Sequence, residues 1–216
     1  MMRKIFVTGL ALTVTALGMA SQASAGVVVD RESTIGKQVP IFFSGFKDLK
    51  CSKTVTGSAS VSAFISGAES ISRSTGVPVT RSNGIFLEIS YSNTCTGVSI
   101  SATGGISGGM IGPGPLLALA TLNGSTTIQD IESPPHSAPV SLHLTVVGSG
   151  PLNSSGSTTT THTSGPLTIT INRTAFSSRD ATVSGTLTVN GTSFDLGGTF
   201  AQMIANSNAT ITVSKP

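Results

Sequence analysis

The sequence predicts an all-β fold, an antiparallel β-sandwich of the Ig-like or Greek-key type with about ten short strands. Three observations predict it. Segments of strict apolar/polar alternation recur along the chain, the period of a strand with one buried face. No stretch after Ala25 shows helical periodicity. Ser, Thr and Gly dominate: there are 25 Gly, while charged residues make up only 10% of the chain. That is the composition of strands joined by tight turns.

The chain opens with Met1-Met2-Arg3-Lys4, an apolar run from Ile5 to Ala20, and then Ser-Gln-Ala-Ser-Ala. A basic start, an apolar segment and a small-residue ending have the form of a secretory signal peptide. Residues 1–25 are the expected signal, cleaved after Ala25. Residues 26–216 are the expected single domain, secreted to the periplasm or beyond. Without Arg3 and Lys4, ten basic residues face nine acidic ones, a net charge of +1. Such a balance gives no electrostatic footprint for a nucleic acid. Lys47, Lys50 and Lys53 cluster near Cys51 and read as a solvated loop.

Taken in order, Val27 to Val29 and Val39 to Phe43 are short apolar pieces. Pro40 suits a strand start or an edge. From Thr54 the alternation sharpens, with Val55, Ala59, Val61, Ala63 and Ile65 on one face. Ser72 to Asn83 carries Gly76, Pro78 and Asn83-Gly84 and reads as a loop. Ile85, Leu87, Ile89 and Tyr91 face one way on the next strand, and Cys95 continues that parity. A turn at Asn93 to Gly97 leads into Val98, Ile100 and Ala102. Gly104 to Pro115 reads as a connection. The next strand runs unbroken from Ala118 to Ile128, because alternation continues through Asn123-Gly124. Val140, Leu142, Leu144 and Val146 follow a Pro-rich turn. Residues 148–166 are low-complexity and Ser/Thr-rich, the composition of a long mobile loop. Leu167, Ile169 and Ile171 make another strand before the Ala181 to Phe200 segment, and Ala209, Ile211 and Val213 close the chain.

The strongest local signal is Ala181 to Phe200. Asn190-Gly191 is the preferred pair for a two-residue type I′ turn. That turn sets Val189 opposite Thr192, Leu187 opposite Phe194, Gly185 opposite Leu196 and Val183 opposite Gly198. Val183, Leu187, Phe194 and Leu196 then share one face.

The alternation also fits an outer-membrane barrel. Such barrels carry aromatic girdles, and this chain has no Trp and one Tyr. The two cysteines, Cys51 and Cys95, are expected to form a disulfide in an exported protein. It closes a loop of about 45 residues. Two Cys without nearby His make a poor zinc site.

Candidates for chemistry are few. Gly105-Ile-Ser107-Gly-Gly109 matches the G-x-S-x-G nucleophile elbow, a motif that needs a strand, a sharp turn and a helix. Here it lies in a Gly-rich connection, so the linker reading is preferred. His136, His143 and His162 share no metal-ligand spacing and read as surface imidazoles. Asp130 and Glu132 lie near His136, which leaves a weak cation site or a hydrolytic pair as the minor alternative. Asn123, Asn153, Asn172, Asn190 and Asn208 each begin an N-x-Ser/Thr triplet, a pattern that a Ser/Thr-rich composition generates by itself. No cofactor site is expected.

The stretch from Tyr91 through Cys95-Thr96-Gly97, with the strands at Leu142 to Val147 and Ala181 to Val189, resembles a loose group of exported all-β proteins without an assigned function. That resemblance implies a sandwich fold. An early disulfide in a Ser/Thr-rich exported sandwich with a terminal strand at Ala209 to Val213 is similar to fimbrial subunits. It departs from them after Gly26, where Asp30, Arg31 and Glu32 interrupt any apolar donor strand.

The expected function is therefore a non-enzymatic binding or cell-envelope structural module, with a cell-surface protein or glycan as partner. The alternatives are an assembly subunit that adds strands edge to edge and, behind it, a hydrolase. The contact regions expected are the loops Gly104 to Pro115 and Gly148 to Gly165.

Overall fold

The structure is a computed structural model that describes residues 28–130, 136–163 and 168–214. The expected signal peptide lies outside these residues. The chain forms one antiparallel sheet of eleven strands. They are β1 (Val28–Lys50), β2 (Thr56–Ser74), β3 (Val77–Asn93), β4 (Val98–Ser107), β5 (Met110–Ile111), β6 (Leu119–Gln129), β7 (Ser137–Gly148), β8 (Asn153–Thr159), β9 (Thr168–Val189), β10 (Thr192–Asp195) and β11 (Thr199–Ser214). A single turn of 3-10 helix, Pro115–Leu117, precedes β6. All-β architecture is as the alternation predicts.

Pairing follows chain order. β1 to β4 pair in succession, β4 touches β6, β6 pairs β7, β7 pairs β9, β9 pairs β11, and β11 returns to β1. The ladder therefore closes on itself by up-and-down connections, without the Greek-key crossover expected. Its inward side chains meet in one core, including Ile41, Ile65, Leu87, Leu122, Leu144 and Leu187. Tyr91 of β3 meets Phe194 of β10 edge to face, with ring centroids 6.3 Å apart.

The hairpin turn at Asn190-Gly191 forms as expected. Asn190 and Gly191 have φ of 47° and 77°, as a type I′ turn requires. Val189 pairs with Thr192, and Leu187 with Phe194. Val183, Leu187, Phe194 and Leu196 are all buried. The register then slips by one residue, so that Val183 pairs with Thr199 rather than with Gly198. A second turn causes the slip. Thr199 N donates to Leu196 O at 3.0 Å, and Gly198 at φ 80° occupies the position of that turn that needs positive φ. The extra residue is a β-bulge that separates β10 from β11.

Other expectations need correction. The strands are not short: β1 spans 23 residues and β9 spans 22. Residues 72–83, expected as a loop, are the ends of β2 and β3 around a turn at Thr75-Gly76. Gly104 to Pro115, expected as a connection, holds the end of β4 and all of β5. The 148–166 stretch, expected as a loop, contains β8, which pairs with β9 from Asn153↔Ser178 to Thr159↔Asn172. Residues 164–167 lie outside the described residues. One physical reason covers residues 72–83 and β8. Alternation reports a buried face, whereas strand pairing needs only backbone groups. Where a sheet runs past its core, it carries no apolar period.

This sheet does run past its core. The ends of β8, β9, β11, β1, β2 and β3 continue as a six-stranded blade. One cross-strand row reads Ser157, Thr174, Asn208, Thr34, Ser72 and Thr80. Both faces of the blade are half-buried or exposed. Its inner face extends the core side, and its outer face extends the solvent side of the sandwich.

Candidate functional site

The outer face of the sheet carries the most distinctive arrangement. Even-numbered residues of β1, β2 and β3 point outward, because the odd ones (Ile41, Ile65 and Leu87) enter the core. On β2 most outward positions are Ser or Thr, and on β3 half are. Phenylalanines break that pattern. Phe42 pairs with Phe64 across β1 and β2, their ring centroids 4.7 Å apart, and Phe64 lies 6.4 Å from Phe86 of β3. Phe200 stands on β11 beside them. Phe42 is 68% exposed and Phe200 80% exposed, so these rings face water rather than the core. An exposed apolar stripe rimmed by polar groups marks a contact surface.

On the same face of the blade lies a shallow hollow of about 570 Å³. Thr34, Ser155, Ser157, Thr174, Asn206 and Asn208 line it, with the Phe176 ring at its side. Ser157 Oγ and Thr174 Oγ1 are 2.7 Å apart, a hydroxyl pair across β8 and β9. The position of Asn206 depends on Gly36. The Asn206 amide oxygen occupies the space that a Cβ on Gly36 would need. The lining holds no charged side chain. It offers hydroxyls, amides and one aromatic face, which is the chemistry for a neutral, hydroxyl-rich ligand. A second hollow of about 330 Å³ between β6 and β7 is lined by Ser125, Thr126, Thr127 and Ser141 among others. It too contains no titratable group.

Cys51 and Cys95 sit at bonding distance, with their Cα atoms 5.1 Å apart. Lys50 and Lys53 are exposed beside them, while Lys47 Nζ donates to Ser193 O at 3.2 Å. Ser107 ends β4 at an exposed position, and the chain turns back into β5 instead of entering a helix. The nucleophile-elbow geometry is therefore not formed. His136 Nδ1 lies 3.2 Å from Asp130 Oδ2, and its backbone N donates to Asp130 Oδ1 at 2.9 Å. Glu132 lies outside the described residues. His143 and His162 are exposed on other parts of the chain. Among the described residues no three His, Cys, Asp or Glu side chains converge as a metal site. Nor, among them, is any helix long and apolar enough to cross a membrane. Of the N-x-Ser/Thr asparagines, Asn190 sits in the hairpin turn and Asn208 lines the blade hollow.

The sequence reading missed both the phenylalanine stripe and the hollow. The stripe had a signal. Phe64 lies between core residues Ala63 and Ile65, and Phe86 lies between Ile85 and Leu87, so each is out of phase with its strand. The hollow had none, since its lining comes from four strands whose pairing only the fold reveals.

No protein-family model matches the chain, and no match was found among curated proteins or solved structures.

Proposed function

We propose that this protein is an exported, non-enzymatic binding module of the cell envelope that holds a neutral glycan against the outer face of its sheet. The observation that carries the reading is the uncharged hollow at Phe176. Sugars present apolar C–H faces and a rim of hydroxyls. An aromatic face set among Ser, Thr and Asn complements both, and the absence of charge from the lining selects for neutral units. The Phe42–Phe64–Phe86 stripe on the same face supplies further stacking for an extended chain. Ser107 is on β4 and His143 on β7, while His136 and His162 lie outside the strands, and the reading assigns them no joint chemistry.

The test is binding of the purified protein to a panel of neutral and charged polysaccharides. Wild type should retain a neutral polymer, and Phe176→Ala should weaken retention at least about tenfold, as expected when an anchoring aromatic is truncated. Retention of no polysaccharide, or equal retention by Phe176→Ala and Asn208→Ala, would overturn the reading.

One observation favours a second reading, an assembly subunit. Among the described residues β8 pairs only with β9, and the β3 segment 77–82 pairs only with β2. Both leave a sheet edge open for strand addition. Light scattering over a concentration series separates the two. A constant monomer mass speaks for the binding module alone, and growth without a plateau speaks for assembly.

A further inference from the structure

The inner face of the blade differs sharply from the outer one. It follows the parity of the core, since Val39, Ile65, Leu87 and Met203 are buried at odd positions of β1, β2, β3 and β11. Beyond the core, the same parity brings out Arg31 on β1, Arg73 on β2, Arg81 on β3 and Arg173 on β9. The register gathers Arg31, Arg73 and Arg81 on β1 to β3 and sets Arg173 in the same cross-strand row as Arg73, three strands away. Ser33 pairs with Arg73, Ile71 with Arg81, and Arg173 with Ala209, which itself faces Ser33. All four arginines are exposed, and among the described residues none is in an ion pair. Lys37 on this face is already matched by Glu69, at 3.7 Å. The chain without its first 25 residues is nearly neutral, so this concentration of positive charge is local.

Between the guanidinium groups lie aliphatic side chains. Ile171 pairs with Ile211 and Ile35 with Ile71, and Val79 is 50% exposed. A sheet face of isoleucines fringed with arginines has the chemistry of an interface between hydrocarbon and phosphate. We propose that this face docks on a membrane surface rich in anionic phospholipid. The arginines would pair with headgroup phosphates while the isoleucines enter the headgroup boundary. Charge complementarity selects this occupant over a second copy of the chain. Face-to-face pairing of two copies would set four guanidinium groups against four. The aliphatic rows select it over a nucleic acid, for which stacking aromatics would be the fitting complement. The inference is independent of the glycan reading, because the two use opposite faces.

The test is flotation of the purified protein with vesicles of phosphatidylcholine alone and of phosphatidylcholine containing phosphatidylglycerol. Binding is expected only to the anionic vesicles and should fall steeply as salt rises. Arg73→Glu/Arg81→Glu should reduce it at least about tenfold, and Arg173→Glu, on a different strand, should reduce it separately. Ile35→Ser should weaken it with charge unchanged. Circular dichroism confirms folding of each variant, and Phe176→Ala should float like wild type. No binding to anionic vesicles at low salt would overturn the proposal. So would equal binding to neutral vesicles, binding unaffected by the arginine changes in folded variants, or a stronger preference for a soluble polyanion such as heparin.

Discussion

The side-chain oxygen of Asn206 lies over the Cα of Gly36, in the volume that any larger residue at position 36 would claim. The pair Gly36↔Asn206 is in register across β1 and β11, so the contact belongs to the sheet and not to a loop. It places an amide at the edge of the outer hollow. Gly36→Val should turn that amide away and abolish the recognition proposed for the hollow. Val suits a strand, so stability should change by no more than about 1 kcal/mol. Polysaccharide retention and a denaturation midpoint measured on the same sample check this. Unchanged retention would mean that Asn206 takes no part.

A buried polar chain ties β3 to the tip of the β9–β10 hairpin. Tyr91 Oη is 3.0 Å from Thr192 Oγ1, and Asn93 Nδ2 donates to Tyr91 Oη at 2.9 Å. All three residues are buried. Thr192 follows the Asn190-Gly191 turn, so the only tyrosine of the chain anchors the hairpin tip to β3. Tyr91→Phe removes one hydroxyl and leaves two buried polar groups short of a partner. It should cost about 1–3 kcal/mol. Urea denaturation measures it, and Thr192→Val in the Tyr91→Phe background should cost less than it does alone.

Much of the sandwich was legible because its strands bury one face. Ile85, Leu87, Ile89 and Tyr91 alternate with polar residues for that reason, and the structure buries all four. The hairpin at Asn190-Gly191 was legible because its turn needs positive φ at two positions and few residues supply it. The bulge at Gly198 was hidden, since a glycine near a strand end does not state which residue is left unpaired. The blade was hidden for a different reason. Asn153 to Thr159 has the composition of a linker, and only the backbone of β9 beside it makes it a strand. The arginine face shows the same limit. Arg31, Arg73, Arg81 and Arg173 are scattered in sequence, and their shared face exists only through the register of four strands.

The disulfide makes the last prediction. Cys51 and Cys95 are 44 residues apart, and the link joins the segment after β1 to the turn after β3. In the chain-entropy account such a loop is worth about 4 kcal/mol, so Cys95→Ala should cost about 2–5 kcal/mol and lower the exported yield. Gly57 gives a sharper check. A Cβ there would stand 2.6 Å from Cys51 Sγ, 2.7 Å from Thr94 Oγ1 and 2.8 Å from Cys95 Sγ, well inside ordinary contact. Gly57→Ala should therefore destabilise the disulfide-bonded protein by about 1–3 kcal/mol through overpacking. Part of that loss should vanish when Cys51 and Cys95 are both replaced by Ala, because two of the three close neighbours are then gone while Thr94 Oγ1 remains. Thermal melts of the two single-background pairs give the coupling directly. Equal losses in both backgrounds would show that Thr94 and the backbone of β2, not the sulfurs, demand a glycine at position 57.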